Sequence, residues 1–141
     1  MPPYVHTFTP RFLEIDSQGV LFNMWYLAYV DDAADGYFTH IGRPYREWVE
    51  QGYDAHVAHV ELDWRGSVAY RDDVEVLVST ARVGGKSFAL DAAFRRRGEI
   101  TCTATIVYVL FATDGSGTVD IPPQLREALG EPRPLGDQEA R

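Results

Sequence analysis

The chain has 141 residues, of which 45% are hydrophobic and 13% aromatic, which is enough to build the core of one folded domain. It carries 13 Lys and Arg against 21 Asp and Glu, a formal net charge of -8, and so lacks the basic face of a general nucleic-acid binder. A single cysteine, Cys102, excludes an intramolecular disulfide, and no apolar run approaches the roughly 20 residues of a membrane helix. Because no signal peptide is visible either, we expect a cytoplasmic protein.

The first half of the chain predicts one strand followed by one long helix. Residues 5–12 are rich in β-forming side chains and make up the predicted strand. Asn23 is a typical N-cap residue, and apolar side chains recur with helical spacing through residues 24–39. A Gly-Arg-Pro sequence then ends the helix, and residues 45–51 are predicted to add a short one.

The second half of the chain predicts an antiparallel sheet. Alternating and β-branched residues mark four strands, at residues 56–64, 73–83, 87–95 and 100–111. A short helix is predicted to end at Leu129. Consecutive strands joined by tight turns exclude a doubly wound sheet and predict an α+β fold, with about five strands and one long helix on one face. We expect a single domain over residues 1–130 and a flexible tail over residues 131–141.

The turn between the predicted strand and helix carries the strongest functional signal. It contains Gly19 and places an acid, Asp16, close to the start of the helix. Glu14 is also near, but alternation along a strand end lets only one of the two acids point into a site there. Unpaired N–H groups at a helix N-terminus stabilise an oxyanion. A carbonyl bound there would meet a carboxylate and a polarising dipole, so the pattern indicates a thioester hydrolase in which Asp16 acts and Asn23 fixes the helix start.

Two other groups of residues are candidate sites. His56 and His59 are three residues apart, a spacing that directs side chains to opposite faces of a strand, and no further ligand completes a metal site, so we predict no metal. Arg82, Lys86 and residues 95–97 form the main basic concentration, at the ends of a predicted hairpin. Such charges protect sheet ends from aggregation, and they would also suit a phosphate-binding rim for coenzyme A.

These motifs, taken in order, resemble those of a known family. They are an aspartate and glycine turn leading into a Tyr-rich acidic helix at residues 16–31, an acidic and apolar strand at 70–76, a Gly-Lys-Ser-Phe hairpin at 85–88, and an Ile-Pro-Pro-Gln-Leu segment at 121–125. The chain resembles the hotdog-fold acyl-CoA thioesterases of the 4-hydroxybenzoyl-CoA thioesterase family, close to the Tol-Pal-associated branch. It departs from that branch at Asn23, where many members carry histidine. A backbone donor survives this change, whereas a side-chain acid or base does not.

The resemblance implies a curved antiparallel sheet wrapped around the helix, in subunits that pair edge to edge as homodimers or homotetramers with active sites at the dimer interface. It gives Asp16 the role of nucleophile or general base, and the backbone N–H of Asn23 the role of polarising the thioester carbonyl. It implies an acyl-CoA or acyl-carrier-protein substrate and no cofactor besides the coenzyme A of the substrate. The other residues predicted to contact substrate are Gly19, Val20, Trp25 and Tyr26, together with Arg82, Lys86 and Ser87 near the phosphates or pantetheine.

Two other functions stay open at the level of sequence. A hotdog hydratase or dehydratase acting on an acyl thioester would use a histidine paired with an acid, which His56 or His59 would have to supply across the fold. A non-catalytic module that binds an acyl thioester is the second alternative, and it would follow if Asn23 marks a site that has lost activity.

Overall fold

The computed structural model describes residues 3–135, which form a five-stranded sheet with a long helix packed on one face. The strands are β1 (Tyr4–Phe8), β2 (Tyr53–Trp64), β3 (Val74–Val83), β4 (Ser87–Arg96) and β5 (Glu99–Ala112), and the α-helices are α1 (Asn23–His40) and α2 (Pro123–Leu129). Short 3-10 helices occupy Phe12–Glu14, Tyr45–Glu47 and Val49–Gln51. The predicted α+β class is confirmed.

The sheet has the strand order β1-β3-β4-β5-β2, and every neighbouring pair is antiparallel. β2 pairs with β5 along its whole length, with Tyr53 opposite Ala112 at one end and Trp64 opposite Cys102 at the other. Within residues 3–135 no strand pairs with the other side of β2, so this strand of 12 residues is an open edge. A long open edge is a ready template for pairing with another chain.

One face of α1 packs on the sheet. The buried residues recur at helical spacing and are Tyr26, Tyr29, Val30, Ala33, Ala34, Tyr37 and Phe38. Gly36 lies where β1 approaches the helix, and a Cβ at this position would overlap the hydroxyl of Tyr4. The close contact between α1 and β1 therefore favours glycine here, although glycine weakens helix propensity, because any side chain would displace the Tyr4 hydroxyl.

The structure corrects three of the predicted elements, and it also starts the strand predicted over residues 56–64 earlier, at Tyr53. The first strand ends at Phe8 rather than at residue 12, because Pro10 cannot donate to a ladder and residues 12–14 turn into a 3-10 helix. The long helix begins at Asn23 itself, with Phe22 as the N-cap. The short helix predicted over residues 45–51 is a pair of 3-10 helices that meet at Trp48, whose buried indole donates a hydrogen bond to the carbonyl of residue 43 at 3.0 Å.

The segment after α2 lies against the outer face of the sheet, opposite α1. The N–H of Arg133 donates to the carbonyl of Thr80 in β3 at 2.6 Å, and its carbonyl accepts from the hydroxyl of Ser79 at 2.6 Å. The N–H of Leu135 donates to the carboxylate of Asp91 in β4 at 3.0 Å. Residues 131–135 of the predicted tail are thus hydrogen-bonded to the sheet, and residues 136–141 lie outside the described residues. None of the described helices is long and apolar enough to cross a membrane.

Candidate functional site

The acid singled out in the sequence lies on a small hairpin that leads into α1. The N–H of Asp16 donates to the carbonyl of Val20 at 2.9 Å, and the N–H of Gly19 donates back to the carbonyl of Asp16 at 3.0 Å. Ile15 and Leu21 form the next antiparallel pair of this ladder. Gly19 has a φ of +80°, a conformation that glycine adopts without strain. The glycine in the motif is therefore the residue that allows the chain to reverse between Asp16 and the helix.

The carboxylate of Asp16 is held in a defined orientation and is half-buried. Its Oδ1 accepts a hydrogen bond from the N–H of Gln18 at 2.8 Å, which is an Asx turn. Among residues 3–135 its second oxygen has no hydrogen-bond partner. One oxygen thus fixes the side chain while the other is available to a substrate or a water molecule.

The N-terminus of α1 is not capped by a side chain. The N-cap residue is Phe22, which has no acceptor, and Asn23 makes no capping hydrogen bond. The N–H of Trp25 donates to the carbonyl of Phe22 at 3.0 Å, whereas the N–H groups of Asn23 and Met24 find no acceptor in the described part of the chain. Two backbone donors at the positive end of the helix are therefore available to an oxyanion. The prediction that Asn23 is the N-cap is wrong, and its correction leaves these donors free.

Asp16 and Asn23 line one open cleft with a volume of about 510 Å³. Two of its walls are the hairpin and the first turn of α1, and the third is the segment that follows β2. The side chains and backbone that line it belong to Asp16, Ser17, Gln18, Val20, Leu21, Phe22, Asn23, Tyr26, Trp64, Gly66 and Ser67. A carboxylate, an uncapped helix N-terminus and an apolar wall thus face a single space.

The structure brings together four of the residues predicted to form the site and leaves the others elsewhere. Asp16, Val20, Asn23 and Tyr26 line the cleft. Gly19 shapes the hairpin without lining the cleft.

Trp25 is not among the residues that line the cleft, and its ring centroid lies 5.9 Å from the guanidinium carbon of Arg11.

Long-range pairing adds a cleft wall that sequence reasoning missed. The N–H of Leu21 donates to the carbonyl of Val68 at 2.7 Å, and Val20 bridges to Ala69. These contacts bring Gly66 and Ser67 into the cleft, although they lie about 50 residues after Asp16 in the sequence. No local sequence pattern marks them as site residues.

Arg82, Lys86 and Ser87 lie at the other end of the sheet from Asp16. Lys86 lies in the turn between β3 and β4, and Arg82 and Ser87 lie in the strand ends beside it. β3 starts near the cleft and runs ten residues, or about 33 Å, to that turn. Arg82 donates to the hydroxyl of Ser87 at 3.5 Å, and the amine of Lys86 lies 3.1 Å from the carboxylate of Asp120. Within one chain these residues and Asp16 cannot contact the same small group.

The acid two residues before Asp16 has a different environment. Glu14 is only 1% exposed and accepts hydrogen bonds from the N–H and guanidinium of Arg11, at 2.8 and 2.9 Å, and from the hydroxyl of Tyr29 at 2.5 Å. Burial alone would raise the pKa of Glu14, but these hydrogen bonds and the charge of Arg11 lower it overall. Burial, followed by the hydrogen bond to Glu14, raises the pKa of Tyr29 to about 12.

A second cavity of about 280 Å³ lies between α1 and the open edge of β2. We call it the α1–β2 cavity; it is lined by Asp31, Ala34, Asp35, Phe38, Tyr45, Ala55, Val57 and Tyr108. Tyr108 is 6% exposed, and its hydroxyl has no hydrogen-bond partner among the described residues. Burial, and then the neighbouring Asp32, raises the pKa of Asp31. The cavity is therefore aromatic within and acidic at its rim.

The two histidines of β2 lie on the same face of the sheet, so the prediction of opposite faces is wrong. A β-bulge at Ala58 shifts the register, so that His56 pairs with Val109 and His59 with Val107, two residues apart on β5. This is the outer face, where His56 stacks on Phe111 at 4.0 Å between ring centroids. Across residues 3–135 there is no cluster of three or more His, Cys, Asp and Glu side chains that could hold a metal ion.

Comparisons with known proteins agree with this geometry. The sequence profile of the thioesterase-like superfamily matches residues 10–129. The DHNA-CoA thioesterase from Staphylococcus aureus is 19% identical with a TM-score of 0.84, over 91% of this chain and 89% of that one. A gentisyl-coenzyme A thioesterase is 21% identical with a TM-score of 0.82, over 90% of this chain and 100% of that one.

The PA5185 protein from Pseudomonas aeruginosa is 25% identical with a TM-score of 0.78, over 91% of this chain and 90% of that one. Comparison with curated protein sequences finds no significant match. The predicted hotdog fold is confirmed by the profile and the solved structures together. Closeness to the Tol-Pal-associated branch stays a prediction.

Proposed function

Because the chain belongs to the thioesterase-like superfamily, we propose that it hydrolyses the thioester of an acyl-CoA or an acyl-carrier protein to a free acid and a thiol. The observation that carries this proposal is the shared cleft, which is lined both by Asp16, with one free carboxylate oxygen, and by the uncapped N-terminus of α1. Hydrolysis of a thioester needs both groups: a nucleophile or general base for attack on the carbonyl carbon, and hydrogen-bond donors to the carbonyl oxygen.

The reaction follows from the positions of these groups. The carbonyl oxygen accepts a hydrogen bond from the N–H of Asn23, which stabilises the negative charge that develops on it. Asp16 then acts in one of two ways. Its carboxylate attacks the carbonyl carbon and expels the thiolate, leaving an anhydride that water hydrolyses, or it takes a proton from a water molecule that attacks the same carbon. Both routes end with a carboxylic acid and a thiol, and both require Asp16.

We place the complete site at a dimer interface formed by the open edge of β2. Antiparallel pairing of two β2 strands about a twofold axis sets the Trp64 end of one strand beside the Tyr53 end of the other. The β3–β4 turn lies at the Tyr53 end, because Ser87 pairs with Val109 on β5, close to the partner of Tyr53. Such pairing therefore brings the basic turn of one subunit toward the Asp16 cleft of the other, where it is able to hold coenzyme A phosphates.

The same pairing gives the acyl group a place to bind. The α1–β2 cavity lies toward the Tyr53 end of β2, since Ala55 and Val57 line it, and in the dimer it adjoins the cleft of the second subunit. Its aromatic wall suits an apolar or aromatic acyl group. The carboxylates of Asp31 and Asp35 at its rim disfavour an acyl group that ends in a second carboxylate, because like charges repel in a partly desolvated space.

Removal of the amine of Lys86 is expected to weaken coenzyme A binding without unfolding the protein. Lys86 is the only lysine of the chain and is exposed, and its one salt bridge within residues 3–135 is with the exposed Asp120, so its loss has little effect on stability. We expect Lys86→Ala to weaken the affinity for coenzyme A about tenfold, by calorimetry, because a charged contact to phosphate is lost. Arg46→Ala, which removes an exposed charge elsewhere, is the control. Unchanged affinity in both Lys86→Ala and Arg82→Ala would remove the basic turn from the site.

The protein is expected to sediment as a dimer or tetramer at micromolar concentration. Val57 is 50% exposed on the α1 side of the open edge, and a charge there opposes pairing. Val57→Glu should therefore dissociate the dimer and lower turnover per subunit at equal protein concentration. Val5→Glu, at a valine that is 39% exposed on the opposite edge strand, is the matched control and should keep the dimer. A monomeric wild type would contradict the interface site.

The cleft disfavours the hydratase alternative. None of the residues that line it is a histidine, and His56 and His59 lie on the outer face of the sheet, away from α1. A hydratase or dehydratase of the kind considered above would lack its histidine within this subunit's cleft. A binding module without activity remains the second candidate, and it is separated from a thioesterase by the Asp16 variants described in the Discussion.

A further inference from the structure

The buried carboxylate of Glu14 connects two segments beside the cleft. Its side chain joins the loop after β1, through Arg11, to the second turn of α1, through Tyr29. The ring of Tyr29 stacks on Phe8 of β1 with 3.6 Å between centroids, so its hydroxyl is held against Glu14. Glu14 itself does not line the cleft.

The backbone of Glu14 belongs to the ladder that carries Asp16. Its carbonyl accepts the N–H of Phe22 at 2.9 Å, which is the outermost rung of the hairpin after the Ile15–Leu21 pair. Phe22 is also the N-cap of α1. Glu14 is thus hydrogen-bonded through its backbone to Phe22, the residue immediately before Asn23. The clamp from Glu14 to Tyr29 then fixes this hairpin on the body of the helix.

From these contacts we infer that Glu14 is a positioning residue, which sets the placement of the Asp16 carboxylate relative to the free N–H groups of α1. This inference rests on the proposed function. Attack on a carbonyl depends on sub-ångström placement of the nucleophile and the oxyanion donors, so a hairpin that pivots on the helix loses rate rather than substrate affinity.

The test removes one hydroxyl from the clamp. Tyr29→Phe deletes the hydrogen bond to Glu14 and keeps the ring that stacks on Phe8. The matched control is Tyr37→Phe, two turns further along α1, since both tyrosines are 8% exposed and Tyr37 also makes one hydroxyl hydrogen bond, at 2.6 Å to Thr80. We expect Tyr29→Phe to lower kcat about tenfold with KM unchanged within about twofold. Tyr37→Phe should lose comparable thermal stability and keep kcat.

A second readout does not depend on turnover. Hydrogen exchange of the Gln18 and Phe22 amides, which are bound to Asp16 and Glu14, should be faster in Tyr29→Phe than in Tyr37→Phe. A wild type that cleaves no thioester would refute the proposed function, and the exchange rates would still decide the positioning role. Equal exchange in the two variants, or equal losses of kcat, would overturn it.

Discussion

Asp16→Asn is expected to abolish most thioester hydrolysis while the protein stays folded. The substitution keeps the size of the side chain and an oxygen that accepts from Gln18, so the hairpin is preserved. It removes the negative charge that either attacks the carbonyl or accepts a proton from water. Loss of a general base or nucleophile of this kind typically lowers the rate by 10² to 10⁴, and we expect about 10³ here.

Steady-state thiol release at saturating substrate measures this effect, with thermal unfolding as the check on folding. Ser17→Ala is the matched control, because Ser17 lines the same cleft beside Asp16 and has no role in the mechanism. It should retain turnover within about threefold. Full activity in Asp16→Asn and Asp16→Ala would make the assignment of Asp16 wrong, and would leave the cleft without a catalytic carboxylate.

Glu14→Ala is expected to cause a large loss of stability. It leaves the buried hydroxyl of Tyr29 without an acceptor, frees the guanidinium of Arg11 and opens a cavity beside α1. These losses are expected to lower the free energy of unfolding by about 3 kcal/mol. Urea denaturation followed by fluorescence measures it, and Asp16→Ala is the comparison, since that half-exposed aspartate bonds only to the turn. Similar losses for the two alanine variants would show that the Glu14 network contributes little.

The contribution of Glu14 should disappear in acid. Its pKa is lowered in the folded protein, so the ionised form is favoured by folding, and the stability it supplies is fully present above the pKa of the unfolded chain, about 4.3. That stability is lost as the pH falls through the folded-state pKa. The difference in unfolding free energy between the wild type and Glu14→Gln should therefore be constant near neutral pH and shrink below about pH 4. A difference independent of pH would mean that the charge of Glu14 is not what stabilises the network.

The fold could be predicted from sequence because most of its helices and strands are marked by local sequence patterns. The strands β3 to β5 follow one another with glycine-bearing turns, and α1 shows apolar residues at helical spacing, so their order leaves few arrangements. The ends of the helices and strands were harder to predict. Phe22 is an N-cap that no propensity favours, and it takes this position because its N–H completes the ladder to Glu14.

The site could be predicted in part. The carboxylate, the glycine turn and the helix start are adjacent in sequence, so a local pattern was enough to place Asp16 beside Asn23. Gly66 and Ser67 were not predictable, because tertiary pairing of Val20 with Ala69 brings them to the cleft. The bulge at Ala58 was also invisible, since one extra residue in β2 depends on its partner strand and reverses which face every following side chain takes.

The most direct test of the central claim is thiol release from a panel of short-chain, long-chain and aromatic acyl-CoA substrates, with wild type beside Asp16→Asn. The account predicts that the wild type releases coenzyme A from at least one substrate class and that the variant loses this turnover. Release that persists in the variant would contradict the role of Asp16. Absence of turnover on every acyl-CoA and on acyl-carrier-protein thioesters would contradict hydrolysis itself and favour a binding module.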